Sequence, residues 1–159
     1  RPYGIEVDKN GNIFVADEWN HAIRKVTPNG VVTTLGGNGV IGSQNGDVSS
    51  SSYNYPWDVA IDSLGYVFVA DGFNYVIRKI DVNNISSTYA GIMGVIGAID
   101  GDVLTGTFNG ATSISFNKEK TSLIVGDAYN QLIRRIYYED LVSPVISFIN
   151  NGNSQIPVC

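Results

Sequence analysis

One histidine, one cysteine and three evenly spaced aspartates are the residues of this chain whose types invite chemistry. His21 could serve as a general base or a metal ligand, but catalytic zinc takes about three protein ligands and structural zinc about four. No second histidine accompanies it, and the single cysteine, Cys159, is the last residue. Asp17, Asp71 and Asp127 stand 54 and 56 residues apart. They read either as an acidic ring for a metal or as turn residues, each carboxylate accepting backbone N–H bonds while Asn20, Asn74 or Asn130 closes the turn. Recurrence favours scaffold over catalysis, because an active site is normally unique. Asp47 and Asp102 lie in oxygen-rich Asn-Gly-Asp and Asp-Gly-Asp stretches, where Ca²⁺ is the alternative to plain turn chemistry. No Gly-x-Ser-x-Gly elbow, P-loop or His-Glu-x-x-His occurs. The expectation is a chain without catalytic residues, cofactor or metal.

The elements that position these residues come from repetition. "VADEWNHAIRKV" at residues 15–26 returns as "VADGFNYVIRKI" at 69–80 and "VGDAYNQLIRRI" at 125–136. Within each copy, short stretches of alternating polarity are separated by turn residues, among them the Asn-Gly pair at residues 10–11. Strands are expected at 4–8, 12–17, 22–27 and 31–35, at 59–62, 66–71, 76–80 and 85–89, and at 113–117, 122–127, 132–137 and 145–149. No stretch carries a helical period. Four antiparallel strands per repeat is the arithmetic of a β-propeller blade. The fold class is therefore all-β, a propeller arc of three four-stranded blades at 1–37, 55–91 and 110–150, with crossing loops at 38–54 and 92–109.

These copies resemble the NHL repeat, whose blades carry an Asn-His-Leu signature. Pro2, Gly4, Ile5, Val7 and Asp8 match its opening, Gly11 to Asp17 much of its middle, and Asn20, His21, Ile23, Arg24 and Lys25 its end. The second copy has Tyr75 in the histidine slot and the third has Gln131. Because Tyr75 and Gln131 fill the same slot, His21 is expected to be a structural or surface residue. Recurrence in every copy likewise makes Asp17, Asn20, Arg24, Asp71, Asn74, Arg78, Asp127, Asn130 and Arg134 the expected structural repeat positions, the arginines packing between blades. NHL propellers close with about six blades, within the usual range for propellers. Three blades would leave two raw sheet faces, so the chain is expected to be part of a longer protein or to assemble, two copies making one ring.

The aromatic in each turn is less easily explained by the scaffold. Trp19, Phe73 and Tyr129 fall where the NHL family commonly has a small residue, and the crossings add Tyr53 and Phe108. These five rings form either an apolar recognition rim or a local core over which the crossings fold. The expected function is a non-catalytic interaction or scaffold module whose partner is protein: further copies, or remaining blades of the same polypeptide. The alternatives are a glycan-binding module using the rim, and a propeller lyase or hydrolase with an axial site. The axial inventory, Glu6 against Ala60 and Ser115, disfavours the enzyme. A net charge of −5 argues against nucleic acid, and no apolar run nears the roughly 20 residues that span a bilayer. Asn84-Ile85-Ser86 fits a glycosylation acceptor, and with the Asn-, Ser- and Tyr-rich composition it points to an extracellular or cell-surface setting.

Overall fold

The computed structural model describes residues 1–137 and 145–149. The first sheet contains β1 (Pro2–Val7), β2 (Ile13–Asp17), β3 (Ala22–Val26) and β4 (Val32–Gly36), paired antiparallel in chain order. The second repeats the pattern with β5 (Pro56–Ile61), β6 (Val67–Asp71), β7 (Val76–Ile80) and β8 (Ser86–Ala90). The third is built from β10 (Ala111–Phe116), β11 (Ser122–Asp127), β12 (Leu132–Tyr137) and β13 (Val145–Phe148). The two-residue strand β9 (Gly101–Asp102), which belongs to the preceding crossing, adds a fifth strand on the outer edge of β13.

Turn chemistry explains why each repeat folds into hairpins. Asp8 accepts the N–H groups of Asn10 and Asn12 through one carboxylate oxygen, at 2.8 and 2.9 Å, while Gly11 takes the left-handed φ of 79° that the turn requires. Asp62 does the same for Leu64 and Tyr66. In the third copy the amide oxygen of Asn117 accepts from Ser122 N–H. The inner strand of every sheet shifts register near its start, at Pro2/Ile5, Pro56/Asp58 and Ala111/Ser113. These shifts lie at matching places in the three copies.

Side-chain alternation along each strand then stacks the sheets. One face of the second blade sends Val59, Ile61, Val67 and Val69 against Phe14, Ala16 and Ile23 of the first. Its other face sends Ala60, Phe68 and Ala70 against Ile114, Phe116 and Leu123 of the third. The second blade is thus buried on both faces, and all five residues of β6 are buried. Each fully buried Val, Ile or Phe is worth about 1.5–3 kcal/mol of transfer free energy, so the two inter-blade layers hold the arc together.

The crossings are more closely integrated than free linkers. Tyr53 and Phe108, the two crossing residues expected as candidates for an exposed rim, are wholly buried and belong to the inter-blade cores. Each crossing turns inward and lays its ring beneath the strands it passes. The Tyr53 hydroxyl pairs with Ser86 Oγ at 2.8 Å, and burial pushes its pKa up to about 12. Gly37, at φ 93°, makes this path possible: a Cβ there would lie 2.3 Å from His21 O. Parallel bridges Ile41↔Tyr53 and Ile96↔Phe108 fold each crossing back on itself.

Candidate interaction site

Three turns of identical build carry the repeated polar residues. After β2, β6 and β11 the chain makes a single 3-10 turn, at Glu18–Asn20, Gly72–Asn74 and Ala128–Asn130. Each turn ends on a left-handed residue, His21, Tyr75 or Gln131, with φ of 48°, 60° and 58°. The slot is therefore defined by backbone conformation. A left-handed non-glycine residue costs about 1–2 kcal/mol, and nothing in that requirement selects histidine.

In the second blade the Asp-Asn-Arg cluster is sealed. Asp71 accepts from Asn54 N–H at 2.8 Å, from Asn74 Nδ2 at 2.8 Å and from Arg78 Nη1 at 3.0 Å. Arg78 and Asp71 are both fully buried. The third blade reproduces the set: Asp127 accepts from Asn109 N–H, Asn130 Nδ2 and Arg134 Nη1 at 2.7, 2.8 and 3.0 Å. A buried charge is tolerated only when paired and hydrogen-bonded, and both arginines meet that condition. Each also lies over a crossing ring, Arg78 over Tyr53 at 5.0 Å and Arg134 over Phe108 at 5.3 Å.

The first blade keeps the same residues in a more open setting. Asn20 Nδ2 reaches both oxygens of Asp17 at 2.9 Å, and Arg24 Nε reaches Asp17 Oδ2 at 3.2 Å. The Arg24 side chain is one-third exposed. The N-terminal ammonium of Arg1 lies 3.2 Å from Asp17 Oδ1, in the place where Asn54 and Asn109 present backbone N–H groups to the later aspartates. Burial works to raise the Asp17 pKa, but the hydrogen bonds from Asn20, Arg24 and that ammonium outweigh it and hold the group below its ordinary value.

His21 is buried, and its Nδ1 accepts the Tyr55 N–H at 3.3 Å. Its ring meets Tyr55 edge-on at 4.7 Å, beginning an aromatic chain through Phe73 to Trp57, whose Nε1 donates to Glu18 Oε1 at 3.1 Å. Burial pushes the imidazole pKa down against the opposing charge of Glu18. His21 therefore joins the first blade to the second. Trp57 also accounts for Gly72, since a Cβ there would lie 2.1 Å from the indole.

Of the five rings singled out from the sequence, Trp19, Phe73 and Tyr129 remain 61%, 40% and 59% exposed. Arg1 sits over both Tyr3 and Trp19, at 5.5 and 5.6 Å. Asn84 is exposed in the β7–β8 turn at φ 62°. At the hairpin end of the arc a groove of about 330 Å³ holds Glu6, Asp8, Asp62 and Lys120. Asp8 and Asp62 there hold their own turns, and Lys120 Nζ donates to Ile61 O at 2.9 Å. Asp47 accepts from Ser49 and Ser50, which hold its carboxyl at about 2. Among the described residues, no three His, Cys, Asp or Glu side chains gather as a metal site, and no helix is long and apolar enough to cross a membrane. Cys159 lies outside the described residues.

Residues 1–26 match the NHL repeat family. The three sheets make the chain a partial β-propeller arc of three blades, and the first of them matches the NHL repeat. Chicken NHL repeat-containing protein 2 is 38% identical over 94 residues, 57% of this arc and 13% of that protein. A Caenorhabditis elegans protein named as a probable peptidyl-alpha-hydroxyglycine alpha-amidating lyase is 28% identical over 136 residues, 84% of the arc and 36% of the relative. A crystal structure from Bacteroides thetaiotaomicron superposes with a TM-score of 0.76 at 28% identity, over 84% of the arc and 34% of that chain. The arc thus spans between about an eighth and about a third of these proteins. The relatives thus include a protein named as a probable lyase as well as an NHL repeat-containing protein.

Proposed function

We propose that this NHL arc is a non-catalytic interaction module that joins further blades, its own copies or others, into a larger propeller. The observation that carries this reading is a comparison of equivalent residues. Ile5, Val7 and Ile13 of the first blade are 58%, 57% and 37% exposed, whereas Val59, Ile61 and Val67, in the same positions of the second blade, are 1%, 4% and 3% exposed. The same blade face is therefore buried where another blade packs on it and open in the first blade. Ile133 of the third blade, 46% exposed, is the counterpart of Ile77, which is fully buried. Open faces of this kind favour association.

Sedimentation of the full chain across a concentration range tests the proposal. The expected result is a mass that rises with concentration, and a shift back towards the single chain for Ile5→Asp with Val7→Asp. A single-chain mass at every concentration, unchanged by the substitutions, would sink it. A lyase reading draws on the nematode relative, but Asp8, Asp62 and Lys120 at the hairpin-end groove are engaged in turns and an inter-blade bond. We also favour an extracellular or cell-surface setting, with Asn84 as glycan acceptor, on the strength of its exposed turn.

A further inference from the structure

Blades two and three each hold the crossing that precedes them in the same grip. Arg78 Nη2 donates to Gln44 O and Asn45 Oδ1, both at 2.8 Å, and Nη1 to Ser52 O at 3.1 Å. Asn74 Nδ2 donates to Gly42 O at 2.7 Å. In blade three, Arg134 Nη2 donates to Ile99 O at 2.9 Å and Asp100 Oδ1 at 2.6 Å, Nη1 to Thr107 O at 2.9 Å, and Asn130 Nδ2 to Gly97 O at 2.7 Å. The crossing also pairs with the outer strand. Gly46 and Ser86 exchange two backbone bonds, at 2.9 and 2.7 Å, and Gly101 pairs with Ile146. Ser86 and Ile146 are buried as a result.

Blade one has the matching asparagine, arginine and outer-strand edge, and among the described residues they grip no loop. Arg24 Nε and Nη1 are engaged by Asp17 and Thr34, and Nη2 has no partner among the described residues. Among the described residues the Asn20 amide donates only to Asp17. Val32, the counterpart of Ser86 and Ile146 on the outer strand, is 62% exposed.

We propose that Asn20, Arg24 and the β4 edge at Val32 form a receptor seat for a crossing-type loop of another blade. This rests on the reading of the arc as a module that joins further blades, and it specifies how the join is made. The occupant is an extended, glycine-rich loop. It offers two backbone carbonyls and one Asn or Asp side chain to the Arg24 guanidinium and one carbonyl to the Asn20 amide. A glycine of the loop pairs with the backbone of Val32. The two occupied seats supply this chemistry directly: Asn45 and Asp100 are the side chains, and Gly46 and Gly101 are the pairing glycines. Charge complementarity agrees, since the free guanidinium N–H groups call for oxygen acceptors.

The test uses the full chain with a synthetic peptide of residues 39–55, followed by backbone amide and arginine Nε–H NMR signals. The same loop fused ahead of Pro2 in place of Arg1 supplies a high effective concentration if the free peptide is weak. Expected are shifts centred on Asn20, Arg24 and Val32, slowed exchange of the Val32 amide in the fusion, and affinity about tenfold weaker in Arg24→Gln, the scale of a charged hydrogen bond lost. A fusion in which the Val32 amide exchanges as fast as in the parent, or peptide binding indifferent to Arg24→Gln, overturns the seat. Association through the Ile5 face is read separately by sedimentation. Either result can fail without the other.

Discussion

Histidine 21 shows how much a single residue's role depends on its neighbours. Its Nδ1 is an acceptor for the Tyr55 N–H, which the protonated ring cannot be. Because burial lowers its folded pKa below the ordinary 6.5, the unfolded chain binds more protons than the native one as pH falls through that value. The contribution of His21 to stability is therefore present above pH 6.5 and is lost towards the lower folded pKa. The difference between the native chain and His21→Gln in urea unfolding between pH 7.5 and 5.5 is expected to show this loss, because Asp71, which burial pushes up to about 6, gains stability over the same fall in pH in both proteins. Gln131 already occupies the equivalent left-handed slot, so the substitution suits the turn. An equal slope in both proteins would count against the assignment. The Asp-Asn-Arg positions were legible in the sequence because they recur at fixed spacing. The burial of Tyr53 and Phe108 was legible only as one of two readings of the rings, because it depends on the path of a glycine-rich crossing whose residues carry no period.

At the scale of the blade, burial on one face or two should govern local opening. β6 is buried throughout, whereas no residue of β1 is. Repeat architectures gain stability from interfaces between neighbours, and local openings range from near zero free energy up to the global value. Hydrogen exchange is expected to be slowest in β6 and β7 and at least about tenfold faster in β1. Uniform protection across the three blades would contradict this ranking. The four strands of each blade were readable from period-two alternation and turn residues. β9 escaped notice because a two-residue strand has no measurable alternation; the copied Gly-Asp pairs at 46–47 and 101–102 were the available signal.

For the whole molecule, chain topology puts the hairpin turns, including the one carrying Asn84, at the end opposite the 3-10 turns of Trp19, Phe73 and Tyr129. A glycan on Asn84 would leave that second end clear. Expression through a secretory route, followed by enzymatic removal of N-glycans, is expected to lower the intact mass, and Asn84→Gln to abolish the change. An unmodified mass would remove the support for an extracellular setting. The crossings have a separate bearing on ancestry. Each loop is gripped by the blade that follows it, through Arg78 or Arg134 and the outer-strand edge. The unit that keeps this grip when it is duplicated or grafted is therefore a loop with the sheet after it, roughly residues 37–90. A splice made between a loop and its following sheet would separate a key from its lock.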